Sequence, residues 1–506
     1  MFSDAKKHKL NQTYVIVFAV FIGIQPLLDT IWFYDGTIPQ IFGFTIPTLL
    51  RIGLVTVLFI LALVIYSNKK ACIGLALYLF AVGTFFYLHD KHAKVFTSFS
   101  PNNFGYNTFG ELFYIVRMLI PWLVVFMFVL SGVTRKEFEF ITMLVSAVMS
   151  LSIVITNMLK ISLGSYTNHR IHGNIFEWFI YPGGFTSNEL ASKGFMYFSI
   201  SSTVMLLTYP YLLYMFMSNK KKTHALLAVI EAFALLMVGT KVTAYGVVGM
   251  TVVMFTAYLF CGVIKRDYKV NVLIAILMLM LIGILGITYT YSPAKIKMSF
   301  DKKYARETDK AEKKKSKHKA LAMKRNPESI IEYIDKNIKY LSVKEEFIKT
   351  SYDYKKDPYF WYDFLNEYYP SQRMQNRIVE KLMLERVKEV NNKKTDDFLG
   401  IGYTRTSNIY NLECDFMYQY YSLGYLGAFL IVGPYIVLII TSIAIMLIRF
   451  KKKATLRNGA ILLGLGFTCC SAYFSGNTLE TLGVSIVMAW FCGEIISRVI
   501  FSKEQN

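Results

Sequence analysis

Four charged side chains sit in or beside apolar runs, where ionisable groups are costly and so point to function. Arg51 lies five residues into the run 46–66, and Arg117 lies five residues into the run 112–130. Lys241 falls in Gly239-Thr240-Lys241, between the runs 225–238 and 242–263, and Glu480 directly precedes the run 482–500. The topology argued below brings all four to about one depth, near the outer surface of a bilayer. Fixed cations at that depth suit the phosphate or pyrophosphate headgroup of a lipid-linked substrate whose tail runs between helices. Ion pairing between helices is the competing use of the same residues. Glu231, deeper in its run, is expected to serve as a structural partner of a neighbouring arginine or polar group. The connection 160–190 adds Tyr166-Thr167-Asn168-His169-Arg170-Ile171-His172 and Gly183-Gly184-Phe185-Thr186-Ser187-Asn188-Glu189. Its polar side chains, Arg170 and His172 among them, suit contacts to glycan or phosphate. His169 and His172 are spaced to share a metal on a helix, but no third ligand lies nearby, so no metal is expected.

The elements that must position these groups are membrane helices. Hydrophobic residues make up 54% of the 506 positions, and mean hydropathy is +0.39, which places burial in lipid ahead of burial in one large core. Runs long enough to span hydrocarbon recur at 14–31, 46–66, 71–88, 112–130, 138–158 and 194–217, then at 225–238, 242–263, 270–289, 420–448, 459–474 and 482–500. The fold class is therefore all-α, a polytopic membrane protein of about twelve transmembrane helices. Lys6, Lys7 and Lys9 precede the first run, and every second connection is basic: Lys69-Lys70, Arg135-Lys136, Lys220-Lys221-Lys222, Lys265-Arg266 and Lys451-Lys452-Lys453. Positive charge near span ends stays in the cytoplasm, so both termini are expected there, in the plasma membrane of the cell. The first run ends in Gln25-Pro26-Leu27-Leu28-Asp29 without a small-x-small cleavage site and reads as a retained anchor. Five of the six cysteines lie in the runs and only Cys414 near the outer face, which argues against an outer disulfide framework. The net charge of +21 is in large part this topology signal and calls for no nucleic acid partner.

Between the ninth and tenth runs the chain leaves apolar composition for about 120 residues, too long for a structureless connection, so a helical extracytoplasmic domain is expected. The resulting division is a membrane part at 1–290, the loop domain at 291–416 and a second membrane part at 417–506. Residues 301–325 are lysine-rich with little apolar periodicity and read as solvated helix or disorder, with attraction to anionic lipid or glycan as the alternative. After Asn326-Pro327-Glu328 a helix should start, with Ile330, Ile331, Ile334, Ile338 and Leu341 on one face. A second helix is expected over 371–390, with Met374, Ile378, Leu382 and Val387 inward and Arg373, Arg377 and Arg386 around it. Between them, at 352–369, Tyr, Phe and Trp alternate with Asp and Lys. Such rings suit stacking on sugars; an aromatic patch at the membrane interface is the alternative.

The end of this segment resembles a family. Phe398-Leu399-Gly400-Ile401-Gly402-Tyr403, then Asn411-Leu412-Glu413-Cys414-Asp415-Phe416, then Leu423-Gly424-Tyr425-Leu426-Gly427 leading into a span, is similar to the close of the large outer loop in the O-antigen ligase and polysaccharide polymerase superfamily. Gly239-Thr240-Lys241 resembles that family's glycine-serine-arginine turn, and the large loop between helices 9 and 10 matches its layout. The resemblance implies metal-independent, cofactor-free glycosyl transfer on the outer face, from a polyprenyl-pyrophosphate-linked oligosaccharide to an acceptor hydroxyl. It implies membrane lipids and other polysaccharide-assembly proteins as partners. Many such ligases carry a His-Asn pair eleven residues before the first glycine of Gly-x-x-Gly, where this chain has Glu413-Cys414. A carboxylate serves as base when partial burial raises its pKa. The departure favours a polymerase over a ligase, with Glu413 as base and Asp415 as second choice. Lys241, Arg405, Arg117 and Arg51 are then the cations for the leaving pyrophosphate, and the loop domain and the 166–189 loop form the glycan groove. The rivals are a ligase that differs only in its acceptor, a transporter or flippase without chemistry, and a structural assembly protein.

Overall fold

The computed structural model describes residues 4–34, 45–66, 68–96, 106–322, 325–409, 412–474 and 476–501; Asn411 of the loop motif lies outside the described residues. The described chain is predominantly helical, and its extended pairings are isolated bridges such as Leu163 with Arg170 and Gly164 with Ser192. Among the described residues, nine helices are long and apolar enough to cross a membrane. Helices also occupy three further runs, at Asp4–Gly23, Lys222–Val238 and Leu456–Phe474, each shorter or more polar. This is a multi-pass membrane protein, and its chain divides into two compact units.

The first unit comprises Met1–Ala76, Arg117–Lys297 and Pro434–Asn506. Two helices form its centre. Val204–Asn219 and Leu482–Ile495 are buried along nearly their whole length, whereas Ile46–Ile65 and Val272–Tyr291 leave Val57, Ile60, Leu279 and Ile287 exposed. An all-round apolar helix suits a bundle centre, and one-sided exposure of large apolar groups suits a lipid-facing position. Close approach depends on small residues: a Cβ on Gly464 would lie 2.8 Å from the Leu207 carbonyl oxygen, so the Leu456–Phe474 helix packs against backbone. Inside this centre Glu231 accepts from Ser146 Oγ at 2.6 Å and from Thr208 Oγ1. It is fully buried, tied to hydroxyls rather than to an arginine.

The second unit comprises Leu77–Val116 and Met298–Gly433. The helix Pro293–Ala322 supplies its lysine-rich start and is solvated over 301–311, as its composition requires. Asp309 fixes it by accepting from Ser371 N at 3.1 Å and Ser371 Oγ at 2.7 Å. The helix Pro327–Asn337 starts as expected, with the Asn326 side chain accepting from Ser329 N, and buries Ile330 and Ile334. Those two pack with Phe347, Tyr352, Trp361, Phe364, Met383 and Val387 in one core.

That core corrects two expectations. The 352–369 aromatics are largely interior: Tyr352 and Trp361 are fully buried, and Trp361 Nε1 donates to Tyr352 O at 2.8 Å. Tyr352 OH donates to Asp357, which Arg386 also grips at 2.8 Å. Rings held this way are neither a sugar platform nor an interfacial belt, because a segment with no large apolar core of its own must use its aromatics as one. The second correction concerns 371–390, which is two pieces, Pro370–Arg373 and Asn376–Asn391. The break turns Arg373 inward, 2% exposed and donating to Leu341 O at 3.0 Å, and leaves Met374 at the surface.

The expected span 420–448 is also bent. Asp415–Ile431 contains Gly424 at φ 68°, and a second helix follows over Gly433–Ile448. The cause is a main-chain crossing in which Ile401 N donates to Tyr421 O at 2.9 Å and Gly402 N to Ser422 O at 3.0 Å. A Cβ on Gly424 would fall inside the main chain of Phe398, and one on Gly400 inside that of Leu423. Both glycines of the motif are thus required by space as well as by φ.

Candidate functional site

In the first unit, the Gly239-Thr240-Lys241 turn joins two helices end to start. Gly239, at φ 72°, closes Lys222–Val238, and Thr240 Oγ1 accepts from Thr243 N at 3.2 Å to open Lys241–Leu259. Lys241 is the exposed first residue of that helix. A cation there opposes the helix dipole, so helix stability does not explain it. The 160–203 connection builds the surroundings: Tyr166 OH donates to Gly239 O at 2.9 Å, and Ser192 N to Met237 O at 2.8 Å. Lys297 Nζ sits 3.4 Å from the centre of the Tyr166 ring, a cation–π arrangement that holds a second lysine beside the turn.

Arg51 and Arg117 each meet a carboxylate. Arg51, 2% exposed, meets Asp29 at 2.6 Å and donates to Gln25 Oε1 at 2.8 Å, while Ser201 Oγ donates to the second Asp29 oxygen at 3.2 Å. Arg117 faces Glu480 at 3.6 Å, with about a quarter of its side chain exposed. In the loop, Arg170 is exposed and pairs its main chain with Leu163. His172 Nδ1 lies 3.1 Å from Glu189. The Thr186 N–H and hydroxyl, then His172, hold the Glu189 carboxyl down at about 2. Among the described residues no three His, Cys, Asp or Glu side chains converge as a metal site.

Sequence reasoning passed over Lys193. It is 4% exposed and donates to Asn168 Oδ1 at 2.9 Å and Tyr197 O at 2.8 Å. Burial pushes its amine down to about 8, as expected of an ammonium removed from water without a carboxylate. The available signal was a lysine standing outside the basic connections that the sequence assigns to the cytoplasm.

In the second unit, Arg405 belongs to the short helix Tyr403–Ile409 and is 6% exposed. Its guanidinium donates to Ile401 O at 2.8 Å, reaches Ala93 O at 3.4 Å and stacks 3.9 Å from the Phe96 ring centre. Among the described residues no carboxylate pairs with it. The nearby acids are occupied: Glu111 accepts from Thr404 N at 2.6 Å and faces His89 at 3.3 Å, and Asp396 binds His92 at 2.7 Å and Asn391 at 2.6 Å. Burial lowers the Arg405 pKa, yet an arginine stays charged in a protein. This is a buried cation held by neutral groups.

Glu413 is more than half exposed and meets Arg377 Nη2 at 3.1 Å. Asp415 is fully buried as the first residue of its helix, where the dipole favours negative charge. Behind Glu413 lies Glu380, which sequence reasoning also missed. It follows Arg377 by three positions on the Asn376–Asn391 helix and is 1% exposed, and neither carboxyl oxygen has a well-formed hydrogen bond among the described residues. Burial and then the Glu413 charge push it up to about 8. Its sequence signal was faint: a glutamate at an otherwise inward position of an amphipathic helix.

Over residues 11–500 the chain matches the family described as O-antigen ligase like membrane protein, and it belongs to that family. It is accordingly a membrane protein of glycan assembly whose substrates are lipid-linked glycans. No curated protein and no solved structure matches the chain.

Proposed function

We propose that the protein polymerises glycan repeat units carried on polyprenyl pyrophosphate, at the outer face of the cytoplasmic membrane and with both termini in the cytoplasm. The acceptor hydroxyl oxygen attacks the anomeric carbon of the donor. The bond from that carbon to the pyrophosphate oxygen breaks, its electron pair stays with the pyrophosphate, and the acceptor proton passes to a protein carboxylate. Charge builds on the leaving oxygen, so preorganised cations lower the barrier. Arg405 and Lys241 take that role, Arg117 assists from its loose pair with Glu480, and Arg51 acts indirectly by bracing the bundle through Asp29. Arg170 and His172 contact glycan. Glu413 accepts the proton, with Asp415 as the alternative.

The observation that carries this reading is Arg405, a nearly buried guanidinium without a carboxylate among the described residues. A buried charge left to neutral partners is costly, and an anionic substrate group would complete it. The test is polymer formation in cells carrying Arg405→Ala or Lys241→Ala, each at normal membrane level. Both should lose at least about 100-fold of product, the scale of removing one charge-stabilising donor. Wild-type polymer in either strain would remove that residue from the pyrophosphate site. A ligase would use the same residues with a different acceptor. It would be recognised by product attached to a lipid or protein in place of longer lipid-linked chains.

A further inference from the structure

Arg377 stands between two carboxylates of unequal exposure. It holds Glu413, which is largely in solvent, and lies one turn from Glu380, which is shut away from it. Residues three apart on a helix share a face, so Arg377 and Glu380 approach the 412–415 strap together. Among the described residues the charged and titratable groups around Glu380 are few: Arg377 on its own helix, Lys344 next to the bend at 341–343, and Glu413 and Cys414 on the strap, beside Asp415. Both cations attract it through space, and neither Glu380 oxygen has a well-formed hydrogen bond among the described residues. A surface pair such as Arg377–Glu413 is worth little, a median of about 0 to 1 kcal/mol, so a charge appearing at Glu380 would outbid Glu413 for the guanidinium.

We propose that Glu380 tunes the base: while neutral it leaves Arg377 to Glu413, and when ionised it draws Arg377 away and frees Glu413 to take the acceptor proton. The inference rests on Glu413 as base and gives Glu380 a positioning role. Glu380 does not touch substrate; its charge acts through Arg377. The sign follows from the burial of Glu380, whose carboxyl holds its proton up to about 8. The turnover rate should therefore rise as pH passes upward through that value.

The experiment measures kcat for elongation of polyprenyl-pyrophosphate-linked oligosaccharide extracted from membranes that make the polymer, at pH 7 and pH 9, with the full-length protein in liposomes. Wild type should run severalfold faster at the higher pH. Glu380→Gln, fixed in the neutral form, should lose that ratio, and Glu380→Asp should regain part of it with a displaced midpoint. A flat wild-type profile, or an unchanged ratio in Glu380→Gln, would overturn the proposal. Glu413→Gln separates the two layers. Full activity in that variant removes Glu413 as base and the tuning role with it. An inactive Glu413→Gln alongside an unchanged ratio in Glu380→Gln removes the tuning alone.

Discussion

At the scale of the residue, each charge is defined by what accompanies it, and the accompaniment sorts residues that are alike in sequence. Arg51 and Arg405 are both buried arginines, yet Arg51 has Asp29 and Arg405, among the described residues, has carbonyls and aromatic rings. The first is structural by this criterion. Asp29→Ala should leave Arg51 buried and uncompensated, at a cost of about 3–5 kcal/mol, visible as a large fall in melting temperature in detergent; a wild-type melt would mean that water reaches Arg51. Glu380 makes the opposite prediction. Its folded-state pKa, about 8, lies above the ordinary 4.5, so the folded protein holds a proton that the unfolded chain releases. Below about pH 4.5 both states are protonated and nothing is lost. Between there and about 8, each pH unit removes about 1.4 kcal/mol from stability. Glu380→Gln should therefore melt progressively higher than wild type as pH rises from 5 to 8, and parallel curves would contradict the burial of that carboxyl. The sequence displayed the membrane cations because charge in an apolar run is conspicuous. It did not display Glu380 or Lys193, since one polar residue in a polar segment becomes unusual only once its neighbours are known.

At the scale of the element, the loop motif is a device for crossing two main chains. Gly400 and Gly424 both take positive φ and both lack room for a Cβ. Gly424→Ala combines strain with a clash against backbone that cannot move aside, so a loss of at least about 3 kcal/mol is expected. Size-exclusion chromatography in detergent would show it as loss of the monodisperse peak; a normal profile would mean the crossing has another geometry. The glycines were legible as a motif, but the bend they impose on 415–448 was not, because an apolar run reads as straight until something crosses it. Periodicity placed Ile330 and Ile334 correctly on their helix. It failed at 371–390, where Arg373 reaches a carbonyl across the core, and at 352–369, where the number of aromatics was visible and their burial was not.

At the scale of the whole molecule, composition alone settles the class: a multi-pass helical membrane protein. The basic connections predict its orientation. With the accessible cysteines Cys72, Cys414 and Cys470 replaced by serine, a cysteine at Lys452 should react with an impermeant maleimide only after the membrane is opened, and one at Glu367 should react in intact cells. The reverse pattern would move the proposed chemistry to the cytoplasmic side. Membership of the O-antigen ligase like family fixes glycan assembly as the setting, and the acceptor decides between polymerase and ligase. The most direct measurement is therefore to incubate the purified protein in liposomes with a polyprenyl-pyrophosphate-linked oligosaccharide and resolve the lipid-linked products by length. The account predicts a ladder of longer chains, lost in Arg405→Ala. No ladder, where a known polymerase makes one from its cognate repeat unit under the same conditions, would contradict polymerisation and leave transfer to another acceptor, or transport, in its place.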